Sequence, residues 1–355
     1  MKKKTNIFIV LTIIFIYIFT LEPIYSVGFD VDNEDALEKF IQSVYDEKNR
    51  GIMAGEWRGL KKYFDLTKKY AQWSYEHEAK RIKYLWDWSR NRGTRFTDIK
   101  SEIALKKVIK KDGMYLLSIR ETSRFNYKYE DDSKNEINSF EVSLGHSIGL
   151  VNKDGKWLIT RDWYADCFED ALVPYSGIHI GILNRATTSC TGAEKAEIFS
   201  TLAWQGKYDR QKAIEYADKY YTKYNSKYRD YNGIGGDCTN YVSQCLSDKE
   251  EGGGLKFDGS WFCSYPKYGK PEGSRAFVNA DAFRAYLVYS GRGRVIKRGT
   301  FDEVAKPTED NPIGAVGYLQ LGDLICFEKK GGIEHFSIIT AKDSKGYPMI
   351  NSHTV

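Results

Sequence analysis

The sequence predicts an α+β protein with two folded parts, of which the first consists of helices followed by an antiparallel sheet. Apolar residues recur with a helical period over residues 35–92, and after Gly93 they recur with a period of two in four consecutive runs. Further along, a glycine-rich turn leads into a short apolar helix and then into more strands. Helices and strands that are segregated along the chain in this way are typical of α+β domains.

The first 26 residues have the character of a secretory signal peptide. Three lysines at positions 2–4 precede an apolar run over Ile7–Leu21, and Pro23 comes shortly before Ser26. This order of charged, apolar and small residues predicts cleavage after Ser26. The apolar run is close to the shortest length that spans a bilayer, about 17 residues, so an uncleaved membrane anchor is the alternative. In both cases we expect a secreted protein whose folded part lies outside the membrane.

Residues 30–170 are predicted to form the first folded part. The aromatic and aliphatic stripe of its helical segment is typical of helices that pack on a core. Four strands follow, at Ile99–Ile109, Tyr115–Tyr127, Phe140–Val151 and Lys156–Tyr164. Two of their connections, at positions 112–113 and 154–155, are Asp-Gly pairs, which favour tight hairpin turns. The sheet is therefore expected to be a four-stranded antiparallel meander.

The end of this sheet, Lys156–Asp166, resembles the last strand of cone-shaped folds of the nuclear-transport-factor-like or cystatin-like kind. A fold resemblance of this kind implies nothing about chemistry. His77 and His146 stand alone in this part of the sequence, and we expect both to be structural.

A linker is predicted at residues 171–193, where turn-forming residues such as Pro174 and Gly177 occur with little periodicity. The second folded part is then expected at 194–355. It should open with a helix over about 193–205 and a second helix over 210–224, and a further helix is predicted over 280–289.

The stretch Gly235–Leu246 places Cys238 where a glycine-rich turn becomes a helix. Asp237 is a suitable N-cap residue, and the apolar residues that follow Cys238 repeat at helical spacing. A thiol in the first turn of a helix meets unpaired backbone N–H groups and the positive end of the helix dipole, which both favour the reactive thiolate. Most cysteines are buried and structural, but this context predicts a nucleophile.

His335 is the candidate base. It begins a predicted strand over residues 335–340, which follows a short buried strand over Leu324–Phe327 and a loop. An imidazole beside a thiol accepts the thiol proton and later returns it to the leaving amine. A third polar group usually orients such a base. The predicted strand at 347–354 offers Asn351 and His353, which share a face because side chains alternate along a strand.

The second part resembles the putative amidase domain family, which groups with papain-like cell-wall cysteine peptidases and amidases of the NlpC and CHAP type. The resemblance extends from about residue 216 to the end of the sequence and implies a papain-like α+β catalytic domain. It rests on these features: Gly236-Asp237-Cys238-Thr239-Asn240, Val242-Ser243-Gln244-Cys245, Gly322-Asp323, His335 and His353-Thr354. Family members usually continue beyond the last pair, whereas this sequence stops at Val355, so either the last strand is incomplete or the sequence is a fragment.

The resemblance also implies roles for individual residues. Cys238 would be the nucleophile, His335 the base and His353 the third catalytic residue, with Asn351 as the alternative. Trp261 matches a tryptophan that often follows the nucleophile helix, and it would line the substrate cleft.

Three further residues near Cys238 are candidates for substrate binding. Tyr231 and Asn232 belong to the tyrosine-rich loop that presents the cysteine, and Asp237 directly precedes it. Asn232 would lend its amide to an oxyanion hole that is otherwise built from backbone N–H groups at Cys238.

Charge and cysteine content exclude several other classes of function. The net charge is +5, and near +3 without the signal peptide, and the lysines are scattered among carboxylates, which is not the signature of a nucleic-acid-binding protein. The six cysteines lack metal-ligand spacing, so neither a metal nor a cofactor is expected. Cys245 and Cys326 are expected to be core residues, and Cys167 with Cys190 is the one disulfide that we consider.

These observations predict a secreted, cysteine-dependent amidase or endopeptidase. The family resemblance implies that its substrate is an amide bond of a cell-wall peptide, cut through an acyl-enzyme. Two alternatives remain open: a wall-peptide-binding module without activity, and an acyltransferase that uses the same Cys–His pair. Contact with a membrane is expected only through an uncleaved signal segment.

Overall fold

The computed structural model describes residues 31–176, 195–201 and 208–353. The predicted signal peptide and Cys190 lie outside these ranges, so neither the cleavage site nor the pairing of Cys167 with Cys190 is tested by the fold. Within the described ranges, no helix combines the length and the apolar character needed to cross a membrane.

The first part consists of two long helices and a four-stranded sheet. The elements are α1 at Val31–Ala54, α2 at Lys69–Asn91, β1 at Thr94–Lys111, β2 at Met114–Tyr129, β3 at Asn138–Lys153 and β4 at Lys156–Trp163, with a 3-10 turn at Arg58–Tyr63. The strands lie in the order β1-β2-β3-β4 and each pair is antiparallel, which confirms the predicted meander. Asp112 and Asp154 adopt positive φ angles of 52° and 53° at the two predicted hairpin turns.

The helices cover one face of this sheet and enclose a single apolar core. Leu37 and Ile41 of α1 and Leu85 of α2 are almost completely buried against Phe125 and Leu150 of the sheet. The helical period of the sequence therefore marks the residues that face the strands, as expected for amphipathic helices.

Charged side chains are also buried in this first part. His146 is 3% exposed and lies between two carboxylates, with Nδ1 at 2.9 Å from Asp162 Oδ1 and Nε2 at 3.1 Å from Glu121 Oε2. Lys48 and Glu78 form a second buried ion pair at 3.0 Å. These contacts are typical of a structural histidine. His146 does not stand alone in the fold, however, because it belongs to a buried network of opposite charges.

The second part contains a five-stranded antiparallel sheet in the order β11-β10-β9-β5-β8. Its strands are β5 at Lys195–Thr201, β8 at Gly293–Thr300, β9 at Leu324–Lys329, β10 at Gly332–Lys342 and β11 at Pro348–Asn351, with the short pair β6 at Cys263–Ser264 and β7 at Glu272–Gly273. Its helices are α4 at Arg210–Tyr220, α5 at Cys238–Ser247, α6 at Arg275–Val278, α7 at Ala280–Tyr289 and α8 at Phe301–Val304, with 3-10 turns at Asn232–Ile234 and Gly314–Tyr318. Helix α3 at Glu169–Leu172 and a 3-10 turn at Val173–Tyr175 come before this part and pack beside α2.

The prediction of a helix over 193–205 is wrong. This segment contains β5, which pairs with β8 on one side and with β9 on the other. Backbone pairing with two neighbouring strands outweighs a local helical preference. The predicted linker at 171–193 begins with the end of α3 and a 3-10 turn, and residues 177–194 lie outside the described ranges.

Helix α5 is completely buried and packs on β10. Its apolar residues Tyr241, Val242 and Leu246 share a core with Phe336 and Ile338 of that strand. Cys245 and Cys326 are both 0% exposed, which confirms that they are core residues.

The turn between β10 and β11 contacts the sheet of the first part. Asp343 Oδ2 accepts hydrogen bonds from Tyr129 Oη at 2.6 Å and Tyr127 Oη at 3.3 Å. Asn138 adds a hydrogen bond from its side-chain amide to Ser344 Oγ at 2.9 Å. The hairpin that carries His335 is therefore attached to the first sheet at its far end.

Candidate active site

Cys238 is the first residue of α5, as predicted. The turn before it requires glycine, because Gly235 and Gly236 have φ angles of +114° and +107°, which a residue with a side chain adopts only with strain. The cysteine is 7% exposed, and its Sγ lies 3.8 Å from the carbonyl oxygen of Glu334 on β10. The thiol therefore lies at the N-terminus of a helix, next to the residue that precedes His335.

Asp237 does not cap α5 with its side chain, contrary to the prediction. One carboxylate oxygen accepts from the backbone N–H of Tyr231 at 2.9 Å and from Asn240 Nδ2 at 2.8 Å. The other oxygen lies 2.7 Å from His353 Nδ1. Asp237 is also completely buried, so we correct its predicted role in substrate binding: it braces the turn that presents Cys238.

His335 lies on β10, just after a bulge between Ile333 and His335. Its ring packs beside Phe327 with 5.7 Å between ring centroids, and its Nε2 lies 2.6 Å from the hydroxyl oxygen of Ser352. Burial of the ring lowers the pKa of His335 to about 4. The imidazole is therefore neutral at neutral pH, which is the form that accepts a proton.

Cys238 and His335 lie close together in the structure, but their side chains are not hydrogen-bonded to each other. Among the contacts of the described residues there is no hydrogen bond between Cys238 Sγ and either ring nitrogen of His335. Phe336 faces the core that contains α5, and the ring of His335 points to the other side of the strand, toward Phe327 and Ser352. Thiol and imidazole are thus neighbours through the backbone of Glu334.

His353 contacts the nucleophile turn rather than the candidate base. Its Nδ1 pairs with Asp237, and its Nε2 lies 2.7 Å from the carbonyl oxygen of Tyr220 at the end of α4. The ring is stacked on Tyr241 at 3.9 Å and lies against Tyr224 at 4.3 Å. His353 thus does not hold the position against His335 that a residue orienting the base would need.

Asn351, the alternative for the third position, also points elsewhere. Its side-chain amide donates to Asp218 Oδ1 at 2.7 Å. The residue that does contact His335 is Ser352, which the sequence analysis did not single out. The pairing of Ile338 with Asn351 explains this arrangement, because one step further along it places Ser352 beside Ser337, on the face of β10 that carries His335.

Trp261 does not line a cleft, and its predicted role is corrected. The side chain is 1% exposed, its ring is stacked near Phe283 and Tyr286, and its Nε1 donates to Ser243 Oγ at 3.0 Å. A buried indole needs a partner for its N–H, and Ser243 of α5 provides it. Trp261 therefore supports the nucleophile helix from within the core.

Tyr231 and Asn232 do border the turn before Cys238, and both are half-buried. The Tyr231 hydroxyl accepts from the backbone N–H of Gly273 at 3.1 Å. Asn232 donates its side-chain amide to Asp230 at 2.7 Å, so this amide is engaged within its own loop rather than directed at Cys238. Their roles in substrate binding remain predictions.

The described residues contain no group of three or more His, Cys, Asp or Glu side chains that could hold a metal ion.

The second part of the chain is similar to known proteins. The model of the family described as "Putative amidase domain" matches residues 207–355. An uncharacterized protein of Bacillus subtilis, YhbB, is 29% identical over 156 residues, which is 41% of this chain and 42% of that protein. The match thus spans less than half the length of the curated relative.

Among solved structures, the similarities are distant. A protein of the NTF2-like family from Streptomyces avermitilis, described as a putative dehydratase, is 7% identical and has a TM-score of 0.26, with 37% of this chain and 96% of that chain covered. A putative NTF2-like transpeptidase from Campylobacter jejuni is 14% identical with a TM-score of 0.17, covering 36% and 96%. Scores this low support no inference about fold or activity. The amidase match is the finding that counts, and it indicates an enzyme that acts on amides.

Proposed function

We propose that residues 207–355 form a secreted, papain-like cysteine amidase or endopeptidase that hydrolyses amide bonds in cell-wall peptides. The amidase-family match supports the reaction class. The observation that carries the proposal is the meeting of α5 and β10, where Cys238 Sγ lies 3.8 Å from the backbone of the residue before His335.

The reaction follows from the chemistry of these two side chains. Cys238 Sγ attacks the carbonyl carbon of the amide while its proton passes to the neutral imidazole of His335. The protonated imidazole then gives this proton to the leaving amine, and an acyl-enzyme remains. A water molecule, deprotonated by His335, attacks the thioester and releases the acid.

The first turn of α5 supplies the stabilisation of the oxyanion. The side chain of Asp237 does not cap the helix, so it leaves the first N–H groups to a negatively charged oxygen. The helix dipole acts in the same direction.

The side chains of Cys238 and His335 must come into direct contact for the proton transfer. Catalytic hydrogen bonds are often long or misaligned in free enzymes and tighten only with substrate. We propose that substrate binding brings the Cys238 thiol and the ring of His335 into this contact.

The test is incubation of the purified protein with peptidoglycan, followed by mass spectrometry of the released fragments. Hydrolysis adds water to a cleaved amide, and we expect Cys238→Ala and Cys238→Ser both to abolish it, because the dyad is too weak a base for a serine hydroxyl. Cys263→Ala is the matched control, since Cys263 is also 7% exposed but lies outside the site.

Three outcomes would contradict the proposal. Full activity of Cys238→Ala would rule out a cysteine enzyme. Binding of wall fragments without cleavage, together with equal labelling of Cys238 and Cys263 by iodoacetamide, would favour a binding module. Transfer of the acyl group to an added amine in preference to water would favour an acyltransferase.

A further inference from the structure

Ser352 has three polar neighbours, and together they determine where its single hydroxyl proton lies. Its Oγ is 2.6 Å from His335 Nε2, 2.9 Å from the carbonyl oxygen of His353 and 3.4 Å from that of Phe336. A carbonyl oxygen only accepts hydrogen bonds, whereas a ring nitrogen of a neutral histidine either donates or accepts.

Only one arrangement of protons satisfies the two short contacts. If the hydroxyl donates to the carbonyl of His353, its oxygen remains free to accept, and Nε2–H of His335 donates to it. If the hydroxyl donated to Nε2 instead, two oxygens without a proton between them would lie 2.9 Å apart. In this partly buried site that arrangement gives up one hydrogen bond and is disfavoured.

We propose that Ser352 is the positioning residue for His335 and holds it in the tautomer with the proton on Nε2. The lone pair then lies on Nδ1, so Nδ1 is the atom that takes the proton of Cys238. Burial independently keeps the ring neutral, because it lowers the pKa of His335 to about 4, so that the ring carries only one proton at neutral pH. The assignment of Nδ1 as the base rests on the proposed function, whereas the tautomer itself does not.

Neither neighbour of Ser352 can replace it. Asn351 is occupied by Asp218, and His353 by Asp237 and the backbone of Tyr220. Alternation along the strand also puts both side chains on the face opposite to Ser352.

The direct test is the ¹⁵N–¹H spectrum of the full protein labelled at its five histidines, with His335→Gln used to assign the signals of His335. We expect a protonated Nε2 and an unprotonated Nδ1. In Ser352→Ala the Nε2–H proton should shift and exchange faster with water, because it has lost its acceptor. Ser352→Thr keeps the hydroxyl and should restore both properties.

The kinetic test is made in parallel with the same variants. Partners that orient a metal-ligating histidine typically contribute about 10- to 100-fold, and we expect a loss of at least this order in kcat/KM on peptidoglycan fragments for Ser352→Ala. The loss should lie more in kcat than in KM and should recover in Ser352→Thr. Ser344→Ala, a serine in the β10–β11 turn that bonds Asn138, is the matched control and should leave the His335 signals unchanged.

A proton on Nδ1 in the wild-type protein would overturn the inference. Unchanged His335 signals in Ser352→Ala would overturn it as well. The wild-type spectrum decides the question even if the alanine variant does not fold. If the spectrum shows the expected tautomer but Cys238→Ala is fully active, the proposed function is refuted. The tautomer assignment would remain valid in that case.

Discussion

His146 and His335 both lie on β-strands, His146 buried and His335 partly buried, yet their surroundings give them opposite protonation states. His146 lies between the carboxylates of Asp162 and Glu121. Burial alone would lower its pKa, but these carboxylates outweigh burial and raise the pKa to about 9. Among the described residues, desolvation alone shifts the pKa of His335, which falls to about 4.

The difference shows which of the two histidines can accept a proton in a reaction. A histidine that is charged and held by two carboxylates has no lone pair to offer and contributes to stability instead. A neutral ring with a single hydroxyl partner keeps one nitrogen for proton transfer. Desolvation lowers the pKa of both rings, so the neighbouring acceptors, rather than desolvation, distinguish the two sites.

The largest expected effect is on activity, in His335→Ala. Loss of the base should lower kcat/KM at least about a thousandfold, nearly as much as loss of Cys238, because members of a catalytic unit act together. Urea unfolding should show little loss of stability, since the lost ring is neutral and has one side-chain partner. A variant with near-normal turnover would place the base elsewhere.

The second effect is on stability, in His146→Gln. Removing the positive charge leaves Glu121 and Asp162 buried beside each other, and breaking a buried ion pair typically costs about 3–5 kcal/mol of the free energy of unfolding. Activity per folded molecule should remain normal, because the site lies in the second part of the chain. Urea unfolding with a parallel activity assay tests both statements.

The pH dependence of this loss separates the two histidines further. The folded pKa of His146 lies above the unfolded value of about 6.5, so its stabilisation is complete below pH 6.5 and is lost as the pH rises through about 9. For His335 the pKa in the folded protein, about 4, is lower than the unfolded value of about 6.5. The folded protein therefore loses stability at His335 as the pH falls from about 6.5 to about 4. A stability deficit of His146→Gln that is the same at pH 6 and pH 10 would contradict this assignment.

The smallest effect is expected for Asn351→Ala. The variant loses one hydrogen bond, to Asp218, at a partly exposed position, so the stability should change by about 0.5–1 kcal/mol and kcat/KM by less than about twofold. Kinetics on the same peptidoglycan fragments check this. A loss as large as that of Ser352→Ala would mean that the amide, rather than the hydroxyl, orients the base.

Local patterns in the sequence were sufficient to predict those elements whose residues interact mainly with neighbours in the sequence. The two Asp-Gly turns, helix α7 and the glycine turn before Cys238 depend on backbone geometry within a few residues, and all were predicted. The first sheet follows from the same short-range signals.

Contacts between distant segments could not be predicted in this way. Strand β5 is extended because two strands pair with it, and neither lies near it in the sequence. Ser352 was missed because alternation relates 351 to 353 but does not say which face meets His335. That information is in the register of β10 and β11, which the sequence pattern does not specify.

The brace between Asp237 and His353 has a consequence for the order of folding. The two residues are 116 positions apart, so their contact closes a long loop, whereas α5 depends on local interactions. Contacts that close long loops cost more chain entropy and tend to form late. We therefore expect α5 to form before the turn that presents Cys238 is fixed. Under the proposed function, a chain arrested before that step would lack the activated thiol, so the rate of Cys238 alkylation would mark the completion of folding.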